Sequence, residues 1–281
     1  MNYINLNGKI RSADEAVLLA ANRGYRYGDG LFETMKMTNS IILLGPYHFE
    51  RLFSGLSLLH LKIPAMFTAE KLREEILLLC RKNNVENQAR IRLSVFRGNG
   101  GLYDADKELQ YLIENWPLPV PANGLNENGL VIDVYPEARK SCDIFSNLKS
   151  ANFLPYSMAA LYAQENKLND CLLLNTQDRI SDSTIANVFI IKEGHIITPA
   201  LDEGCVAGVM RRYLLKMLKA KGVKYRVEEA SLSIESLLRA DEIFLTNTIH
   251  GIRWVGHFRD KSYGNSETAK IYNKFIRTIR G

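Results

Sequence analysis

The sequence predicts a two-domain protein of mixed class, α+β to α/β: a smaller N-terminal α+β domain, then a larger C-terminal domain with a β-rich core flanked by helices. Three observations predict it. The chain has 281 residues, more than the roughly 100–200 of one typical domain. Runs that alternate apolar and polar side chains are interleaved with runs whose apolar residues recur near every 3.6 positions. Between the halves, WPLPVPANG at 116–124 holds three prolines and ends in glycine. Proline fixes φ and removes a backbone donor, so 116–124 is the expected linker between domains 1–115 and 125–281.

Taken in order, YINLNGKI reads as a hairpin, because Asn7-Gly8 supplies the left-handed backbone of a two-residue turn. LFETMKMTNSIILL reads as a second hairpin turning at Thr38, Asn39 and Ser40. Phe49, Leu52, Phe53, Leu56 and Leu59 line one face of a helix, and Thr68 precedes another carrying Leu72, Ile76 and Leu79. ARIRLSVFRG and LQYLIEN close this half as strands. Beyond the linker, GLVIDVY reads as a strand, 155–166 as an apolar helix, CLLLN as a strand, and NVFIIKEGHIITP as a hairpin turning at Glu193-Gly194. In VMRRYLLKMLKAKG, Val209, Tyr213, Leu214, Met217 and Leu218 share a helical face, and Gly222 is its stop. EIFLTNT is a late strand.

An apolar fraction of 46% and a charged fraction of 24% are those of an ordinary globular protein. No run approaches the ~20 apolar residues that cross a bilayer, and MNYINLNGKI lacks a basic end followed by an apolar stretch, so no membrane partner and a cytoplasmic location are expected. Cys80, Cys142, Cys171 and Cys205 form no C-x-x-C pair; they read as reduced thiols rather than zinc ligands or a redox motif, and no metal site is expected. The net charge of +5 is dispersed, without the basic and aromatic stripe of a nucleic-acid binder.

Several residues invite chemistry, each weakly on its own. EGCVAGVMRR places glycines ahead of a helix, whose exposed N–H groups attract anions. Arg51 in HFERL sits on the polar side of the first long helix. The Thr248 hydroxyl, at the end of EIFLTNT, suits either a phosphate oxygen or a turn. Lys149 in FSNLKSANFLPY stands among mostly uncharged residues before a helix, where desolvation would lower its pKa as a Schiff-base lysine requires. Asp182 in RISDSTIANVF, read alone, is a turn aspartate.

Together, RGYRYGDGLFETMKM, HFERL, RIRLSVFRGNGG, LKSAN, ISDSTIANVF, VAGVMR and the strand ending in Thr248 recur in the order of a known family. The chain resembles the class IV, fold type IV aminotransferases that depend on pyridoxal 5′-phosphate (PLP), among them branched-chain and D-amino-acid aminotransferases and aminodeoxychorismate lyase. The resemblance implies that Lys149 forms the Schiff base with PLP and carries the proton at the substrate α-carbon. It implies that Arg51, Thr248 and the backbone at Val209 and Met210 hold the phosphate; branched-chain enzymes often have a threonine where Met210 stands. Asn187 would support the site. Asp182 falls where the family usually has the glutamate that binds the pyridine nitrogen.

The family pattern turns Phe32, Thr34 and Lys36 toward the substrate, and Tyr25, Arg92 and Arg97 are further pocket candidates, a substrate carboxylate calling for a forked cation. Which arginine serves stays open, because a one-residue register shift exchanges the faces of a strand. GDGLFET and GVMR are closer to the lyase pattern, yet Leu102 follows RGNGG where that pattern commonly has arginine. Amino-group transfer between an amino acid, branched-chain among the options, and a 2-oxo acid is therefore the first expectation, the lyase the second, and a non-catalytic PLP binder a remote third. The family also implies a homodimer.

Overall fold

The computed structural model describes residues 2–104, 108–119, 125–277 and 279; of the expected linker, 120–124 lies outside them. The chain packs as two compact units, Met1–Pro121 with Lys149–Asn152, and Ala122–Leu148 with Phe153–Arg280. Lys149–Asn152 thus packs with the first unit although the sequence reading assigned it to the C-terminal domain. The cause is a short ladder: the Phe32 N–H donates to the Lys149 carbonyl at 2.9 Å, the Ala151 N–H to the Gly30 carbonyl at 2.9 Å, and Leu31 bridges to Ser150.

In the first unit, β1 (Tyr3–Leu6) and β2 (Lys9–Ser12) form the expected hairpin, with Asn7 at φ 51° and Gly8 at φ 82°. A short helix that periodicity did not reveal, α1 (Arg23–Tyr27), is capped by the Asn22 side chain and stopped by Gly28. β3 (Gly30–Thr38) turns through Asn39 and Ser40 into β4 (Ile41–Ile42). α2 (Gly45–Leu58) and α3 (Ala69–Lys82, capped by Thr68) follow, then β5 (Gln88–Arg97) and β6 (Leu109–Pro117). The sheet is antiparallel in the order β2-β1-β6-β5-β3-β4. Met35, Met37, Ile91 and Leu93 on one face are buried, as are Leu52 and Leu56 of α2 and Leu72, Ile76 and Leu79 of α3. At roughly 1.5–3 kcal/mol for each fully buried side chain, this face sets the register of β3.

The second unit contains β7 (Leu130–Lys140), α4 (Leu154–Glu165), β8 (Asp170–Asn175), β9 (Ile180–Ser183), β10 (Asn187–Lys192), β11 (His195–Pro199), α5 (Val209–Leu218), β12 (Arg226–Ala230), α6 (Ile234–Arg239), β13 (Glu242–Asn247), β14 (Gly251–Phe258), β15 (Lys261–Ser262) and α7 (Ser266–Ile271). Its mixed sheet runs β12-β11-β10-β13-β14-β7-β8-β9, with β15 on β14. The β11–β12, β14–β7 and β7–β8 pairs are parallel. VFII in β10 shows no alternation because both faces are covered. Val188 and Ile190 join a core with Ile132, Leu172 and Ile243, while Phe189 and Ile191 join one with Leu214, Leu218 and Phe244. β9 and β12 escaped sequence reading because ISDS and RVEEA are short and polar. Among the described residues, no helix is long and apolar enough to cross a membrane.

Candidate active site

The two faces of β3 carry different chemistry. Glu33 shares the phase of Met35 and Met37 and is 2% exposed, a position that is costly for a carboxylate unless it is paired. α2 supplies the partners, since His48 and Arg51 are three residues apart and lie on one helical face. Arg51 Nε donates to Glu33 Oε1 at 2.8 Å and Nη2 to Oε2 at 2.5 Å, while His48 Nδ1 lies 2.6 Å from Oε2. Burial would raise the Glu33 pKa, but the Arg51 charge and the hydrogen bonds from His48 and Arg51 outweigh it and hold it at about 2. Burial pushes the His48 pKa down, so the neutral ring donates from Nδ1, and its Nε2 is buried without a partner among the described residues. The sequence put Arg51 on the polar side of its helix. It is instead mostly buried, with its guanidinium plane fixed by Glu33.

The other face of β3 carries Phe32, Thr34 and Lys36, paired across the ladder with Ser94, Arg92 and Arg90 of β5. Arg92 Cζ lies 3.9 Å and Lys149 Nζ 4.6 Å from the centroid of the Phe32 ring, both within cation–π range. Partial burial lowers the Lys36 pKa. The register separates the two arginines. Arg92 shares this face, whereas Arg97 has the opposite phase and binds Asp29 Oδ2 at 2.9 Å and the Leu59 carbonyl at 2.7 Å. Tyr25, on α1, is 77% exposed.

In the second unit Asp182 is not a turn residue: it lies on β9, opposite Leu173, and is buried. Lys140, the last residue of β7, places Nζ 3.0 Å from Asp182 Oδ1 and 2.9 Å from Oδ2. The Tyr156 hydroxyl of α4 and the Val206 N–H both donate to Oδ2, each at 2.9 Å. Asn187, at the start of β10, donates from Nδ2 to the Val206 carbonyl at 2.8 Å. A Cβ on Gly208 would collide with Asn187 Oδ1, so only glycine lets this turn close against the asparagine. The turn delivers Val209 and Met210, both buried, as the first residues of α5. Amides there have no acceptor within the helix, and with the helix dipole they favour an anion. Thr248 follows β13 and is buried, in a turn shaped by the Asn247 side chain, which accepts from the Ile249 and His250 N–H groups at 3.0 and 2.8 Å.

Sequence reasoning missed Glu33, His48, Lys140 and Tyr156. Glu33 was findable as an acid in the apolar phase of a strand. Lys140 carries no signal in the polar run RKSCD, and Tyr156 shares its helix with Ser157, Tyr162 and Gln164, so nothing local singles it out.

The family pattern described as "Amino-transferase class IV" matches residues 30–258. A Methanocaldococcus jannaschii protein named, provisionally, as a branched-chain-amino-acid aminotransferase is 29% identical over 273 residues, covering 96% of this chain and 93% of its own. The Bacillus subtilis aminodeoxychorismate lyase is 27% identical over 289 residues, covering 98% of this chain and 95% of its own. The solved structure of the Thermoproteus uzoniensis branched-chain aminotransferase with norvaline superposes with a TM-score of 0.87 at 22% identity, covering 99% of this chain and 94% of that one. That likeness carries the fold, type IV.

Proposed function

Because this chain belongs to the class IV aminotransferases, enzymes that use PLP, we propose that it moves an amino group between an amino acid and a 2-oxo acid, with PLP joined to Lys149. A branched-chain amino acid is the first substrate to try, following the archaeal relative. When bound, PLP supplies the electron sink that lets a substrate lose its α-proton.

Each unit carries residues whose chemistry suits the part of that cofactor the family resemblance gives them. Arg51 is a cation with a fixed plane, and Thr248 and the amides of Val209 and Met210 are further donors for a phosphate. Asn187 braces the turn before α5. Asp182 supplies the carboxylate for the pyridine nitrogen, and Lys149 Nζ takes the proton from the substrate α-carbon and returns it. Phe32 and Thr34 wall the substrate, with Lys36 and Arg92 toward its carboxylate.

One observation carries this reading: the Lys149 amine and the Arg92 fork lie over the same Phe32 ring. A substrate bearing its amine and carboxylate on one carbon needs both groups close together. Leu102, in place of a cation after RGNGG, favours transfer over the lyase. The second reading, release of pyruvate and 4-aminobenzoate from aminodeoxychorismate, is supported by GDGLFET, GVMR and the Bacillus relative.

A panel of L- and D-amino acids added to the PLP form, followed by its absorbance, tests the choice. Conversion to pyridoxamine phosphate identifies transfer; pyruvate release from aminodeoxychorismate without that conversion identifies the lyase. The reading includes a cytoplasmic homodimer, supported by its four free thiols and the family resemblance, and checked by sedimentation.

A further inference from the structure

We infer that Lys140 is a positioning residue that weakens the hold of Asp182 on a proton of the bound cofactor's pyridine nitrogen, by making Asp182 one half of a neutral ion pair. The inference rests on the reading that Asp182 faces that nitrogen. Asp182 Oδ2 already accepts from Lys140, Tyr156 and the Val206 N–H, each at 2.9 Å. Oδ1 accepts from Lys140 at 3.0 Å and has no other donor among the described residues. A carboxylate oxygen offers about two lone-pair sites, so Oδ1 is the oxygen with capacity left for a ring N–H. It is also an oxygen with an ammonium group beside it.

Among the described residues, two titratable neighbours of this pair are Tyr156 and Cys205, and the Arg211 guanidinium beyond Cys205 is already paired with Glu229 at 2.8 Å. Burial and the Asp182 charge push the Tyr156 hydroxyl well above its ordinary range, so it stays a neutral donor. Burial pushes the nearby Cys205 thiol up to about 12, so it is neutral too. Lys140 and Asp182 are 8% and 2% exposed, and charges out of water act strongly on each other and on a neighbour. An unbalanced carboxylate would hold the ring proton firmly; the Lys140 ammonium opposes that proton from nearly the same place. The aspartate is thereby drawn to a protein cation as well as to the cofactor, a division of labour that the sequence alone does not reveal.

The test uses holoenzyme reconstituted with PLP labelled with ¹⁵N in the ring, and reads the pH at which the ring nitrogen loses its proton from its chemical shift. In Lys140→Met that midpoint should rise by about one pH unit or more, the size of effect a close charge exerts, and Lys140→Arg should restore the wild-type value. An unmoved midpoint in Lys140→Met, even with a lowered melting temperature, would overturn the inference and leave Lys140 a structural ion pair. Should Lys140→Met not fold because it strands a buried carboxylate, Asp182→Asn and the double variant Lys140→Met/Asp182→Asn replace it. The double variant should keep the ring proton to a higher pH than Asp182→Asn alone, and equal midpoints would overturn the inference. A midpoint unmoved by Asp182→Asn relative to wild type would instead reject the reading of Asp182 itself, and with it the inference.

Discussion

Glu33 grips Arg51 by two parallel hydrogen bonds, Nε to Oε1 at 2.8 Å and Nη2 to Oε2 at 2.5 Å, so a strand carboxylate fixes the plane of a helix cation. An arginine held this way loses little side-chain freedom when it meets an anion.

Arg51→Ala is expected to weaken PLP binding about tenfold or more. A charge-assisted contact contributes roughly 1.5–3 kcal/mol, and ~1.4 kcal/mol is one decade. Glu33→Gln keeps the cation but loosens its plane, and should give a smaller loss. Equilibrium titration with PLP measures both; unchanged affinity in Arg51→Ala would detach it from the phosphate.

The same pair predicts a pH dependence. The Glu33 pKa is lowered from 4.5 to about 2 in the folded protein, so its contribution is fully present above the unfolded value. It is lost as pH falls from about 4.5 toward 2, on the order of 3 kcal/mol at ~1.4 kcal/mol per pH unit. His48, its pKa lowered by burial, adds a loss that begins at higher pH: below its ordinary 6.5 the unfolded chain takes up a proton that the folded chain refuses. Melting curves of wild type and Glu33→Gln should converge between pH 4.5 and 2; a constant gap would contradict the Glu33 shift.

Lys149 should carry the cofactor. Borohydride reduction of the yellow holoenzyme followed by peptide mapping is expected to find the pyridoxyl group on Lys149. Finding it on Lys140 would reverse the roles of the two lysines.

Asp182→Asn should keep the fold and much of the cofactor while lowering turnover strongly, because an amide cannot balance a ring cation. Asp182→Glu should also lose activity, since the longer side chain must displace the contacts with Lys140, Tyr156 and Val206. Near wild-type turnover in Asp182→Asn would remove Asp182 from the mechanism.

Gly208→Ala should disturb the start of α5, because the new methyl group meets Asn187 Oδ1. Lower PLP affinity with a lower melting temperature is expected. Asn187→Ala/Gly208→Ala should recover part of the loss, and no recovery would separate the glycine from the asparagine.

The sequence by itself determined what neighbours along the chain decide. The Asn7-Gly8 turn, the Thr68 cap and the helical faces of α2, α3 and α5 depend on residues within a few positions of one another, and so they were legible. The alternation of LFETMKM likewise separated Phe32, Thr34 and Lys36 from Glu33. Only the tertiary structure decided what each face met. Glu33 and Arg51 are 18 residues apart, and Lys140 and Asp182 are 42 apart. The ladder to β3 drew Lys149 into the first unit, and the register of β3 on β5 chose Arg92 over Arg97 for the Phe32 face. Spacing cannot reveal such pairs, because a buried charge selects its partner through desolvation and Coulomb attraction across space, and those act only once the chain has folded.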